Sequence, residues 1–268
     1  MPYFLFSGNC GANLMEDLSM RYKLIVSYDG SCFHGFQRQN KYISVQEKLE
    51  TTLKEILKTD VVIKGASRTD AGVHAYGQVC HFDSPQLVPE KNLKKILNKK
   101  LFPSIYIKDV QYVDETFHAR VSAKKKEYHY FVNIGEFDPT KAKYIHYFHN
   151  RINIDKMKQA MTYICGTHDF KSFSKNHTIK TTVRTIDTFT LHQDGDMLEF
   201  IIIGNGFMYN MVRIIIALML KVAEGKFEPI HIKEIIDGCD RHLAPFVAPA
   251  CGLYLWKVYY ESDLTNYE

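Results

Sequence analysis

The sequence lacks the features that mark a disulfide-linked, zinc-binding or membrane-spanning protein. Its six cysteines are spread along the chain without a C-x-x-C pair, which argues against a zinc site and a disulfide framework. The apolar run from Phe207 to Val222 is too short for a membrane span, and it includes Asn210, Arg213 and Lys221. We therefore expect a protein of the reducing cytoplasm, with no metal and no membrane partner.

A strong excess of charge of either sign is also absent. The chain has 34 lysines and arginines against 30 aspartates and glutamates, a net charge of +4. Any contact with nucleic acid must therefore come from local clusters of basic residues and not from the overall field. Residues 1–19 have neither the basic start nor the long apolar run of a secretion signal. We expect them to be a disordered or cloning-derived extension outside the fold.

From Tyr22 onward the pattern is that of an α+β protein. Apolar residues alternate from Tyr22 to Tyr28, which predicts a strand. Ser44, with Glu47 three positions later, predicts the start of a helix whose apolar stripe continues to Leu57. Residues 193–196 predict a hairpin between strands near 183–192 and 197–203. The run from 207 to 222 is predicted as a buried helix, and the mixed order of helices and strands indicates the α+β class.

The most informative segment is Gly65–His74, which reads Gly-Ala-Ser-Arg-Thr-Asp-Ala-Gly-Val-His. It places Asp70 on a tight loop of small residues, and Arg68 stands two positions earlier. An ionised carboxylate next to a guanidinium can act as a nucleophile or a base. By itself, an Arg-x-Asp pair on a turn is more often a surface salt bridge. The rest of the chain has to decide between these two interpretations.

This segment resembles the active-site motif of the TruA family of tRNA pseudouridine synthases, Gly-Arg-Thr-Asp-Ala-Gly-Val-His, with Ser67 in place of the first glycine. Other motifs of that family follow in the family's order between Arg21 and Tyr260. They stand at residues 28–30, 35–39, 44–47, 77–79, 81–82, 117–120, 128–130, 166–170, 211–213 and 252–255.

The resemblance implies the pseudouridine synthase fold, in which two α+β halves join their mainly antiparallel sheets around a central active-site cleft. Residues 20–115 would form the N-terminal half with the catalytic loop, and residues 116–268 the C-terminal half. The implied activity is the conversion of uridine to pseudouridine at positions 38, 39 and 40 of the tRNA anticodon stem-loop. It also implies a homodimer and no cofactor.

The resemblance assigns roles to four residues. Asp70 is the expected nucleophile, and whether it attacks C1′, adds to C6 or removes a 2′ proton stays open. Tyr128 is expected to lie against the target base, although a tyrosine at the start of a strand is by default a core aromatic. Arg213, inside an apolar helix, must meet an anion, and the resemblance suggests Asp70. Arg68 is expected to help hold the flipped uridine.

A basic run precedes Tyr128 and suggests where the tRNA binds. Basic residues followed at once by aromatic ones suit phosphate contact and base stacking, but a charged run is also typical of a solvated edge. With the family resemblance we expect tRNA contacts at residues 37–38, at residues 117–121 just before the run, and at the run itself. The predicted contacts are Gln37, Arg38, Phe117, His118, Ala119, Arg120, Val121, Lys124, Lys125 and Lys126.

Two other functions compete with this interpretation. A catalytically silent RNA-binding protein would use the same surface, although the presence of Asp70 with both arginines argues against it. A histidine-dependent hydrolase or metalloenzyme would need a ligand set, and His146 and His149 have no third ligand nearby in the sequence.

Overall fold

A computed structural model describes residues 19–174 and 181–264. The predicted extension at residues 1–19 lies outside this part of the chain except for its last residue. The strands are β1 (Met20–Tyr28), β2 (Lys64–Gly65), β3 (His74–Ser84), β4 (Ile105–Val113), β5 (Lys125–Asn133), β6 (His146–Tyr147), β7 (Gly166–Asp169), β8 (Val183–Asp194), β9 (Met197–Gly204) and β10 (Leu253–Tyr259). The α-helices are α1 (Val45–Leu57), α2 (Glu90–Leu101), α3 (Ile154–Thr162), α4 (Met211–Ala223), α5 (His231–Gly238) and α6 (Glu261–Leu264).

The strands form one sheet in the order β4-β1-β3-β10-β5-β9-β8-β7, with β2 added to β3 and β6 added to β5. Its pairs are antiparallel except β3 with β10 and β5 with β6. The predicted α+β class and the joined, mainly antiparallel sheets are thereby confirmed.

One face of this sheet is covered and the other is half-exposed. Along β1 the even-numbered residues from Tyr22 to Tyr28 are buried, and the residues between them are half-exposed. Strand β9 shows the same alternation. Helix α2 packs along β4 and against α1, and α3 packs against α4. This arrangement agrees with the period of two that predicted the strands.

The last strand of the chain lies in the middle of the sheet. Strand β10 pairs with β3 through Tyr254 opposite His74 and Leu255 opposite Ala75, and it pairs with β5 on its other side. At Gly77 the two backbones approach so closely that a Cβ atom would lie 2.4 Å from the Trp256 carbonyl oxygen. Because β10 comes from the end of the chain and completes the centre, the division at residue 115 stays a prediction.

The start of one helix differs from the sequence prediction. Helix α4 begins at Met211 and not at Phe207. Asn210 adopts the left-handed conformation (φ 61°), which separates the segment before it from the helix. Strands β6 and β7 were not predicted, since two and four residues are too few to show a period. Within the part of the chain that the structure describes, no helix has the length and apolar character needed to cross a bilayer.

Candidate active site

A cleft of about 830 Å³ opens on the covered side of the sheet. The Asp70 loop lines part of it. Strand β5, the start of α4 and the start of β8 line the rest together with the segment before α1. The cleft therefore brings together Arg68, Asp70, Arg120, Lys126, Tyr128 and Arg184.

Residues of β1 and β3 hold the Asp70 loop in place. The Gln78 amide donates to the Ser67 carbonyl at 2.8 Å and accepts from the Ser67 N–H at 3.2 Å. The Tyr28 hydroxyl is 2.7 Å from the Thr69 hydroxyl. Gln78 and Tyr28 are both buried, so these bonds are shielded from water. The motifs at 28–30 and 77–79 therefore act as supports of the loop.

A second support comes from the segment before α1. The Phe36 N–H donates to the Thr69 carbonyl at 3.1 Å. Gly35 adopts φ +91°, and a Cβ atom there would lie 2.8 Å from the same carbonyl oxygen. Only glycine combines this backbone angle with so close an approach.

Ser67, the departure from the family motif, has a contact of its own. It is not among the described residues with positive φ, so its backbone does not require glycine. Its hydroxyl lies 2.8 Å from the Tyr128 hydroxyl. The substitution thus links the Asp70 loop to the wall of the cleft.

Arg213 forms an ion pair with Asp70, as the resemblance implied. Its Nη1 atom lies 3.1 Å from Asp70 Oδ2, and the two side chains are 18% and 11% exposed. Arg213 Nη1 also donates to Asn210 Oδ1 at 2.9 Å, and its Nε donates to the Ala248 carbonyl at 2.8 Å. With three partners in different directions, the guanidinium is fixed, and its positive charge stabilises the Asp70 carboxylate.

Tyr128 is buried in the cleft wall, with 6% of its surface exposed. Its ring meets Phe207 edge to face at 5.0 Å, a contact that is possible because Phe207 lies before the helix and not within it. Burial and, to a smaller extent, the nearby Asp70 charge raise the pKa of the Tyr128 phenol to about 12, against the effect of its hydrogen bond with Ser67. The phenol therefore keeps its proton at neutral pH.

The spacing of two residues suggested that Arg68 pairs with Asp70, but its side chain lies elsewhere. Its side chain is exposed and lines the mouth of the cleft beside Arg120. Asp70 forms its ion pair with Arg213. Arg68 is thus a cation of the rim, next to the loop that carries Asp70.

The three lysines of the basic run at 124–126 do not all point to the cleft. Lys126 lines the cleft, and its Nζ donates to the Ala66 carbonyl at 2.8 Å. Burial, together with Arg120 and Arg184, lowers the pKa of Lys126 to about 8. Lys124 pairs with Glu261 at 2.8 Å, and Lys125 pairs with Asp187 at 3.3 Å. Of the three lysines, the structure brings Lys126 to the cleft.

The segment 117–121 is a tight turn that presents Arg120 to the cleft. Ala119 is fully buried, and its N–H donates to His81 Nδ1 at 3.1 Å. His118 Nδ1 accepts from the Arg120 N–H at 3.2 Å. Phe117 packs against Tyr260 at 5.1 Å, whereas Val121 is exposed. Within this segment, the structure places Arg120 on the cleft and gives Phe117 and Ala119 contacts inside the fold.

Gln37 and Arg38 also line the cleft, and both are exposed. Arg38 pairs with the buried Glu50 at 3.1 Å, and its N–H donates to Gln46 Oε1. The Arg38 side chain thus extends from a fixed base.

The chain matches proteins that carry out a known RNA modification. The family model described as tRNA pseudouridine synthase matches residues 24–121 and 160–261. The chain belongs to this family. A "tRNA pseudouridine synthase A" from Geobacillus kaustophilus is 44% identical over 92% of this chain and 96% of its own length. Proteins of the same name from Bacillus subtilis and Clostridium kluyveri are 41% and 40% identical over 91% and 89% of this chain, covering 100% and 98% of their own lengths.

In this member of the pseudouridine synthase family, sequence reasoning missed two residues of the cleft. Arg184 lines it from the start of β8, where its guanidinium donates to the Thr181 carbonyl at 3.1 Å. Tyr42 lines the rim and stacks on His34, with ring centroids 4.2 Å apart. Neither residue stands in a basic run or a motif, so nothing local marks them. Over residues 19–174 and 181–264, no group of three or more His, Cys, Asp and Glu side chains is arranged to hold a metal.

Proposed function

We propose that this protein converts uridine to pseudouridine at positions 38, 39 and 40 of the tRNA anticodon stem-loop, with Asp70 as nucleophile. The names of its relatives supply the reaction and the substrate class. The observation that carries the assignment is the ion pair of Arg213 with Asp70, a residue that lines a cleft walled by Tyr128 and by cations. A surface salt bridge would not be enclosed in this way.

The reaction breaks the bond between uracil N1 and ribose C1′, turns the base and forms a bond between C5 and C1′. C5 loses a proton and N1 gains one, so the composition of the RNA is unchanged and no redox cofactor takes part. Attack at C1′, addition at C6 and removal of a 2′ proton all need Asp70 ionised, which the Arg213 guanidinium favours. The anchored loop keeps the carboxylate in one position during these steps.

Tyr128 packs on the uracil in this proposal, and its hydroxyl passes on the C5 proton. Its phenol is protonated at neutral pH and already touches the Ser67 hydroxyl, which gives the proton a short path. Arg68 at the rim holds the uridine in its flipped position. Removing the base from its stack costs a few kcal/mol, which the phosphate contacts offset.

The cations around the cleft bind the tRNA backbone. Arg38, Arg120, Lys126 and Arg184 line the cleft, and the Gln37 amide adds a polar group to the same lining. His118 and Val121 lie beside Arg120 on its turn. Lys124 and Lys125 also contact the tRNA, from outside the cleft. To do so, each must first break its ion pair with a carboxylate of the protein.

We further propose that the protein works as a cytoplasmic homodimer. The described cysteines are free thiols, which fits a reducing compartment. On the half-exposed sheet face, Trp256 stacks with Tyr76 on one side and with His129 on the other, an aromatic surface of the kind found between subunits. Sedimentation equilibrium at micromolar protein should give twice the mass of one chain, and a single-chain mass would contradict the dimer.

The test of the function uses an unmodified tRNA transcript. The wild-type protein should form pseudouridine, whereas Asp70→Asn should retain less than about a hundredth of the turnover with tRNA affinity within a few-fold, because phosphate contacts carry the affinity. Asp60→Asn, which removes an exposed carboxylate paired with Lys54, is the matched control and should leave turnover unchanged.

Deamidation of the new asparagine would restore aspartate, so the mass of the variant must be checked. Residual turnover above a hundredth would disprove the nucleophile. Binding without conversion by the wild-type protein would instead indicate the catalytically silent RNA-binding protein.

A further inference from the structure

A second pocket of about 240 Å³ lies beside the cleft, behind Arg68 and Arg120. Arg68, Arg120 and Gln37 line both spaces, so they form the wall between them. Lys64 and His118 line the far side of the second pocket, which we call the side pocket.

The side pocket is cationic and lacks a balancing charge. None of the described residues that line it is acidic. Among residues 19–174 and 181–264, no carboxylate forms an ion pair with Lys64, Arg68 or Arg120. The positive charge of Arg68 and the partial burial of Arg120 both lower the pKa of Arg120, burial being the larger cause. Like charges held this close favour an anion between them.

The nearest carboxylates are engaged elsewhere. Asp83 experiences the charge of Lys64, but it pairs with Arg21 at 2.6 Å. Glu50, behind the pocket, accepts from the Gln46 amide at 2.8 Å and from the Ile63 N–H at 3.0 Å, and its other oxygen binds Arg38. Neither is available to neutralise the side pocket.

His118 adds a neutral donor. Burial and the charges of Lys64, Arg120 and Arg21 lower its pKa, so the imidazole is neutral at pH 7. Its Nδ1 accepts from the N–H groups of Arg120 and Val121, which assigns the ring proton to Nε2. The lining therefore offers cations and N–H donors, the groups that bind phosphate.

We propose that the side pocket binds one phosphodiester group of the substrate RNA, next along the strand to the nucleotide that enters the cleft. This inference rests on the proposed function, because it needs an RNA strand in the cleft to bring a phosphodiester group past Arg68 and Arg120. Lys64 and Arg120 bind the phosphate from opposite sides, and Arg68 contacts both the phosphate and the nucleotide in the cleft. The RNA backbone then turns around the wall, which fixes which nucleotide reaches Asp70.

The test combines a protein variant with an RNA variant. Unmodified tRNA is assembled by ligation with one uncharged methylphosphonate at each linkage near the target uridine in turn. Lys64→Ala should lower the affinity for normal tRNA about tenfold at low salt, since one charged contact is lost. At one linkage the methylphosphonate should lower the tRNA affinity of the wild-type protein by a similar factor. The same methylphosphonate should lower the affinity of Lys64→Ala almost no further.

Lys95→Ala, which removes an exposed lysine from α2, is the control. Its loss of tRNA affinity should add to the loss caused by the methylphosphonate at every linkage. Losses with Lys64→Ala that are additive at all linkages would overturn the proposal. A second result would also overturn it. Inorganic phosphate would raise the melting temperature in a way that depends on Lys64, while no linkage shows non-additive losses, since the pocket would then hold a free anion.

Turnover of the wild-type protein on the same tRNA separates the two hypotheses. Pseudouridine formation with additive losses disproves only the side pocket. The absence of pseudouridine with the wild-type protein disproves the proposed function itself.

Discussion

The two faces of strand β5 differ in what their polar groups bind. On the cleft face, Lys126 donates to a neutral backbone carbonyl and Tyr128 contacts the Ser67 hydroxyl. On the opposite face, Lys125 pairs with Asp187. On that face His129 also lies between Glu127 at 2.7 Å and Glu199 at 2.6 Å, and it stacks on Trp256. One face satisfies its charges within the protein, and the other leaves charge for a ligand.

This difference teaches that a run of lysines in a sequence is not one functional group. A lysine already paired with a carboxylate gains little from a phosphate, because it exchanges one ion pair for another. A lysine that donates to a carbonyl in a cleft has no carboxylate partner to lose. Because its charge is partly buried, a bound anion stabilises it more than it would stabilise a lysine in water. Three predictions test this comparison.

The largest expected effect concerns Tyr128. Tyr128→Phe keeps the ring and removes the hydroxyl, so tRNA affinity should stay near the wild-type value and turnover should fall by about 10²–10⁴, the usual scale for lost acid–base catalysis. Tyr128→Leu should reduce affinity as well, because stacking on a base is worth about 1–3 kcal/mol. Turnover and affinity are measured with unmodified tRNA.

The opposite face supplies the control for Tyr128. Tyr106→Leu removes an exposed aromatic of strand β4 on that sheet face and should leave turnover within about twofold of wild type, since effects away from functional features are small. Full turnover in Tyr128→Phe would exclude the proton transfer and keep the stacking. Full turnover in Tyr128→Leu would make Tyr128 a core residue only.

The second prediction compares neighbouring lysines. Lys126→Ala should weaken tRNA binding about tenfold and reduce the salt dependence of log K by about 0.7–0.9 per lost phosphate contact. Lys125→Ala should have a smaller effect on both, because Lys125 is paired with Asp187. Binding measured from low to moderate salt distinguishes the two. Equal losses for both lysines would show that the whole run faces the tRNA and would remove the distinction between the faces.

The smallest expected effect is a dependence on pH. Because the pKa of Lys126 is lowered to about 8, the lysine loses its charge as the pH rises through that value. The affinity for tRNA should therefore fall a few-fold from pH 7 to pH 9 at constant ionic strength. Lys126→Arg keeps its charge over this range and should show no such fall.

The same shift has the opposite sign for stability. The lysine binds its proton less tightly in the folded protein than in the unfolded chain, so its contribution to the free energy of unfolding rises between about pH 8 and the unfolded value. A wild-type affinity that does not change with pH would place Lys126 in water and outside the cleft wall.

The sequence predicted those parts of the fold that depend on local pattern. The strand from Tyr22 to Tyr28 and the helix capped by Ser44 were predicted because alternation and a capping box involve only neighbouring residues. The division of the lysines was also available, since residues two apart in a strand share a face and Lys126 shares that of Tyr128. The family motifs identified the Asp70 loop without any structure.

What the sequence determined by itself is therefore the chemistry: a carboxylate on a loop of small residues, the α+β class and the family. The tertiary structure decided which groups surround that carboxylate. Arg213 reaches Asp70 across a sequence separation of 143 residues, and Lys64 of β2 lines the side pocket together with Arg120 of the turn at 117–121. Such meetings depend on the order in which strands pair, with β10 inserted between β3 and β5, and on the break before α4. No local pattern specifies that order, because it is set by the packing of the whole sheet.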